Sequence, residues 1–264
     1  MAGVEAAGKD VERVVVRDCD GNDELEACVS LQKEVWNFSD ADMIPLRLFV
    51  VAQKIGGQVL GAFDGSTLVG FSLSIPGARN GHAYLHSHML AVRSTYRNSG
   101  LGRRLKLAQR KDGLARGFEL IEWTFDPLEI KNAYLNLERL GAIARRYNIN
   151  QYGMVSSALQ AGLPTDRLIA EWWLRSRRVE RLLQDGSLPD YGIQKSVIVP
   201  AEIYDWKNTP GKRGKALELQ ARNRDLLREA FSRGLAALRY QRGEYGNGSF
   251  LLGHWDEQLS YGAE

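Results

Sequence analysis

The stretch that most constrains this chain is Arg97-Asn98-Ser99-Gly100-Leu101-Gly102, between an alternating strand (83–92) and an amphipathic helix that opens near Gly100 and runs to Ala115. A strand that feeds a helix through a glycine-bearing turn leaves the first N–H groups of that helix without partners. The helix dipole adds positive potential at the same place. Two glycines let an anion approach the backbone closely. Leu101, Leu105, Ala108 and Ala115 form the apolar stripe of the helix, and Gly117 stops it. From Arg93 to Arg116, eight basic residues stand against the single acid Asp112, so a chain of net charge +3 concentrates +7 around one helix N-terminus. The pattern predicts an anion site, with Arg97, Arg103 and Arg104 adding full charges.

Two common phosphate loops are excluded by the residues present. A P-loop needs Lys and then Ser or Thr after its second glycine, where Arg103-Arg104 stands. The dinucleotide fingerprint needs a third glycine, where Leu105 stands. The remaining pattern is R-x-x-G-x-G.

The elements around this turn read as α/β with a mixed central sheet flanked by helices. A β-branched strand (11–17) precedes a helix capped by Asn22 or Asp23 and a shorter helix within 43–54. Strands 59–64 and 67–75 are joined by Gly65-Ser66, and 76–82 reads as a loop. In strand 83–92, Tyr84, His86, His88 and Leu90 share one face unless a bulge intervenes. Strand 120–125, helix 128–140 stopped by Gly141, and strands 142–147 and 167–176 follow. The remainder carries helix 178–184, strand 195–199, helix 214–233 and two strands around Gly246-Asn247-Gly248. Pro210-Gly211-Lys212-Arg213-Gly214 reads as a linker.

Composition narrows the function classes. No apolar run approaches the roughly 18 to 20 residues of a membrane span. The N-terminal segment 1–10 lacks the apolar stretch of a signal peptide, so a cytoplasmic protein without membrane contact is expected. Cys19 and Cys28 are expected to be free thiols, with a disulfide as the alternative. Four histidines and no C-x-x-C or H-E-x-x-H spacing leave no metal site to expect. Acids interleave with the basic residues of helix 214–233, which favours an ion-paired surface over nucleic-acid binding.

Leu90-Ala91-Val92, Arg93-Ser94-Thr95-Tyr96 and the R-x-x-G-x-G turn closely resemble the coenzyme-A-binding motif of the GNAT N-acetyltransferase superfamily, and the matching element order extends over 11–176. The resemblance implies the GNAT acyl-CoA N-acyltransferase fold for 1–176, with 177–264 as a C-terminal α/β extension that either stands as a second domain or packs on the same sheet. Backbone groups of Leu90 and Val92 would meet pantetheine. Arg97, Asn98, Gly100, Leu101, Gly102 and Arg103 would surround the pyrophosphate, and Asn132 would bond the pantetheine amides. The stretches Thr124-Phe125-Asp126-Pro127-Leu128, Leu140-Gly141-Ala142 with Arg145-Arg146-Tyr147, and Gly162-Leu163-Pro164-Thr165-Asp166-Arg167-Leu168 with Glu171-Trp172-Trp173-Leu174 resemble a subgroup of predicted acyltransferases with an extended C-terminus. Some of that subgroup resemble N-acyltransferases of amino acids.

The implied chemistry is attack of an amine on a thioester, with acetyl-CoA or another acyl-CoA as co-substrate and a small-molecule primary amine, such as an amino acid, as acceptor. An amine of pKa about 8 to 10 must lose a proton first, so a base is useful. His86 stands six residues before Val92, an offset that carries a glutamate base in histone-modifying members; His88 is its neighbour, and a hydrogen-bonded structural role is the alternative for both. Asp126 is a second base candidate and equally a helix N-cap. The family's thiolate-protonating tyrosine falls at Leu137, a departure, and Tyr134 one turn earlier is the substitute. Arg145, Arg146 and Arg167 are candidates to clamp a substrate carboxylate, with Arg167 preferred. Trp172 and Trp173 alternate, one expected in the core and one at a cleft or interface. A non-catalytic acyl-CoA-sensing module is the alternative function, and a homodimer is left open.

Overall fold

The computed structural model describes residues 11–153 and 161–262. Residues 1–10, 154–160 and 263–264 lie outside the described residues. The chain forms two compact units, Met1–Phe118 and Glu119–Glu264.

The first unit is an antiparallel sheet in the order β1 (Val15–Asp18), β2 (Gln58–Asp64), β3 (Thr67–Arg79), β4 (His82–Val92). The strands are apolar on both faces because each face is covered. Val59, Phe63, Phe71, Leu73, Met89 and Ala91 pack beneath α1 (Gly21–Trp36) and α2 (Leu46–Lys54). Leu60, Ala62 and Val69 pack with Tyr96 and with Leu101 and Leu105 of α3 (Leu101–Ala115). The expected loop at 76–82 is absent. β3 and β4 continue through it, with Arg79 opposite His82, and the chain reverses at Asn80 (φ 49°) and Gly81 (φ 80°), the left-handed pair of a two-residue hairpin.

One irregularity interrupts this hairpin. Leu73 pairs with Met89 but Ser74 with Ser87, so His88 is an extra residue in β4. The bulge reverses the alternation. Leu90 packs toward α3, yet Ser87 also reaches α3, accepting from Lys106 Nζ at 2.8 Å. His86 and Leu90 therefore do not share a face, which corrects the simple alternation expected from the sequence.

The second unit is a six-stranded antiparallel sheet in the order β5 (Leu120–Phe125), β7 (Arg167–Trp173), β6 (Ile143–Asn148), β9 (Leu235–Arg242), β10 (Gly248–His254), β8 (Ile193–Val199). Strands from before and after residue 176 thus share one sheet. The expected helix 128–140 is helical from 130 to 139 but changes its winding: α4 spans Ile130–Tyr134 and continues into a wide π-helical turn, Leu135–Arg139, after which Leu140 N bonds Leu135 O. After α5 (Arg177–Asp185), a short α6 (Ile203–Asn208) precedes α7 (Arg213–Ser232), which buries Ala216, Leu219, Asn223, Leu227 and Ala230 along one stripe. The Pro210–Gly214 stretch is a tight corner between α6 and α7, not a linker: Lys212 pairs with Asp205 at 2.8 Å, and Thr209 N bonds Asp205 O.

Candidate functional site

In the first unit, β4 ends at Val92, a single tight turn (Ser94–Tyr96) follows, and α3 begins at Leu101. Tyr96 anchors the turn by donating its hydroxyl to Asp64 at 2.5 Å, and Ser99 Oγ donates to Tyr96 O at 2.6 Å. Asn98 (φ 60°) and Gly100 (φ 85°) both take left-handed backbone to aim the chain into the helix. The first helical bond runs from Arg104 N to Gly100 O at 3.0 Å. The N–H groups of Leu101, Gly102 and Arg103 precede it and lie at the positive end of the dipole.

Gly102 bears on whether a pyrophosphate fits. A Cβ there would meet only Leu90 Cδ2, at 3.6 Å, and one at Gly100 would meet nothing within 4 Å. The fold does not need glycine at 102 for packing or backbone conformation, so its bareness keeps space open over the helix end. The residues present fit an anion with a bulky attachment. Arg97 is exposed, with its Nε 3.1 Å from Val92 O. Arg104 turns away and donates to Val11 O at 2.6 Å and Val14 O at 2.5 Å, so it anchors the N-terminal segment and is not part of the charge around the turn.

Next to the bulge, the His86 and His88 rings lie 5.9 Å apart. Desolvation lowers the His88 pKa from its ordinary value, which favours the neutral imidazole at pH 7. Under β4 is a polar group that sequence reasoning missed. Lys106 is buried on α3, and burial pushes its pKa well below the usual lysine range. Gln109 donates to Ser74 Oγ at 2.7 Å and to Ser87 Oγ at 3.1 Å, tying α3 to both strands across the bulge. Lys106 and Gln109, three apart among apolar stripe residues, were the available signal.

In the second unit, Asp126 has both oxygens engaged: Oδ1 accepts Leu128 N at 2.8 Å, and Oδ2 pairs with Lys207 at 2.9 Å. Lys207 also pairs with Glu129 at 2.9 Å. Burial opposes the charge of Lys207, but the two acids outweigh it and raise its pKa. Asp126 is not the N-cap of the following helix, which is Glu129; its carboxylate instead closes the turn 126–128 that leads into α4. Asn132 is exposed, and Tyr134 is half-buried with the Arg242 guanidinium 5.5 Å from its ring centroid.

Arg145 and Arg146 do not wait for a substrate carboxylate. A second bulge, between Ala144 and Tyr147 opposite β7, brings these consecutive residues to one acid. Arg145 Nη2 pairs with Glu171 at 2.8 Å and Arg146 Nε at 3.1 Å, while Arg146 Nη2 bonds Glu122. Arg167 donates to Asp166 O at 2.8 Å and stands 5.5 Å from the Tyr152 ring centroid. Trp172 and Trp173 are both buried, so neither lines a cleft. Cys19 and Cys28 are free, buried thiols 3.8 Å apart. Among the described residues, no helix is long and apolar enough to cross a membrane.

No family model matches the chain, and no curated protein matches it by sequence. Solved structures do match. The proposed acetyltransferase yncA from Salmonella typhimurium, solved with its cofactor acetyl-CoA, aligns at a TM-score of 0.51 and 14% identity over 63% of this chain and 96% of its own. The ribosomal-protein-S18-alanine N-acetyltransferase from Escherichia coli aligns at 0.49 and 15% identity, over 62% of this chain and 95% of its own. Aminoglycoside 6'-acetyltransferase type Ii aligns at 0.49 and 20% identity, over 62% and 99%.

Proposed function

We propose that this chain, whose fold is that of the GNAT N-acetyltransferases, is an acyl-CoA-dependent N-acyltransferase that acetylates or succinylates the primary amine of a small molecule. The observation that carries the reading is the bare helix start at the end of β4: three N–H groups, from Leu101, Gly102 and Arg103, beside a glycine whose missing side chain serves no packing need. Such a start holds a pyrophosphate through charge-assisted bonds, and Arg97 and Arg103 add guanidinium groups. Acyl-CoA, when bound, supplies the thioester carbonyl that the amine attacks.

The chain's own residues then have two tasks. His86 or His88 takes the amine proton, directly or through water, and the lowered pKa of His88 keeps its imidazole neutral and able to accept at pH 7. Tyr134 is the proposed donor to the leaving thiolate. Asp126, held by Lys207 and Leu128 N, orders the start of the α4 segment instead of acting as a base.

Gly102→Glu tests the reading. The new carboxylate would fill the open space and repel phosphate, so CoA affinity by calorimetry should fall at least tenfold with an unchanged circular dichroism spectrum. Undiminished CoA binding would refute the cradle. Thiol release from acetyl-CoA and succinyl-CoA across a panel of amines tests turnover; tight CoA binding without release from any of them would leave a sensing module.

A further inference from the structure

The second unit carries an open cleft of about 630 Å³ between the α4 segment and the end of β9, lined among others by Tyr134, Glu138, Arg239, Gln241 and Arg242. It exists because β6 pairs with β9 at Ala144 opposite Ala237, and farther along β9 faces the wide turn after α4, where Glu138 Oε1 accepts Tyr240 N at 2.7 Å.

The two arginines of this cleft are in different states. Arg239 is committed: its Nε and Nη2 meet the two oxygens of Glu138 at 2.8 and 3.1 Å, and that bonding raises its pKa. Arg242 is exposed, stands over the Tyr134 ring, and among the described residues makes no ion pair. With Glu138 already spent on Arg239, the lining keeps one uncompensated positive charge. A guanidinium 5.5 Å from the centroid of an aromatic ring lies within cation–π range, and its fork of N–H donors matches a carboxylate. A single excess charge suits a monoanion.

We propose that Arg242, beside the Tyr134 ring, forms the subsite for the carboxylate of the acceptor, so that the acceptor is a free amino acid or a similar carboxylate-bearing amine. This rests on the acyltransferase reading, with Tyr134 belonging to both the cleft and the reaction.

The test separates binding from turnover. Saturation-transfer NMR on the unliganded protein, with the twenty amino acids and with the decarboxylated partners of leucine and phenylalanine (isoamylamine and phenethylamine), should show contact for at least one amino acid and none for the amines. Arg242→Ala, an exposed change, should weaken that contact at least tenfold. In turnover, the same variant should raise KM for the amino acid at least tenfold and leave KM for acyl-CoA unchanged. Absence of contact for every amino acid, equal contact for acid and amine, or indifference to Arg242→Ala would overturn the proposal. Amino-acid contact that depends on Arg242, with no thiol release from any amine, would overturn the acyltransferase reading alone and leave the carboxylate subsite standing.

Discussion

Arg178 shows how much a single side chain can organise. It is fully buried, and its guanidinium donates to Gly141 O at 2.8 Å, to Leu137 O at 2.9 Å and to Leu238 O. Desolvation lowers its pKa, but arginine stays charged, so the cost of burial is met by carbonyls at the end of the α4 segment and in β9. Methionine at 178 would fill similar volume and leave those carbonyls without donors. We expect Arg178→Met to lose about 3 kcal/mol in urea denaturation, since hydrogen bonds to charged groups are each worth about 1.5 to 3 kcal/mol; a loss below about 1 kcal/mol would show that the carbonyls find other partners. Nothing near Arg178 in sequence announces this role. Its partners lie 37, 41 and 60 residues away, and a basic residue opening a helix reads as surface.

At the scale of elements, the start of α1 is a self-contained ionic joint. Glu24 receives Asp20 N at 2.7 Å and both ends of the Arg17 guanidinium at 2.7 Å, joining β1 to the first turn of the helix. The Arg17 and backbone bonds lower the Glu24 pKa to about 2 from its ordinary 4.5. A carboxylate with a depressed folded-state pKa stabilises the fold above its unfolded pKa, and that contribution fades as pH falls from about 4.5 through about 2. Glu24→Gln should therefore be less stable than the parent at pH 7, with the two urea midpoints converging by about pH 2; a constant gap down to that pH would mean the carboxyl charge is not what matters. Elements were legible in the sequence where their cause is local. The turn from β4 into α3 was readable because strand, glycines and apolar stripe lie within one short stretch. The Asn80-Gly81 hairpin has an equally local cause, an Asn-Gly pair suited to left-handed backbone, and Pro76 sits within β3 without ending it. The two bulges were not readable, since a one-residue slip in β4 or β6 is decided by what the partner strand offers, and each moved candidate residues: His86 off the Leu90 face, Arg145 and Arg146 onto Glu171.

For the whole molecule, the consequence lies in where residues 177–264 go. They supply β8, β9 and β10 to the same sheet as β5, β6 and β7, and their Lys207 and Arg178 satisfy groups on the α4 segment. A chain ending at residue 176 would lose the β9 neighbour of β6 and leave Asp126 buried beside no cation. Such a truncation should aggregate or lose its near-ultraviolet circular dichroism, and a soluble product with native-like tertiary signals would show that the extension is dispensable. Cys19 and Cys28 offer a way to watch the other half. They are the only cysteines of the chain, both are buried, and both belong to the first unit. A thiol-alkylating reagent in excess can reach them only when that core opens, so the rate of mass gain times the opening of one half, while five of the six tryptophans, at 123, 172, 173, 206 and 255, dominate the emission that reports the other, Trp36 alone standing in the first. The native sequence thus contains its own pair of clocks, and whether they run together says if the halves unfold as one cooperative body or as two.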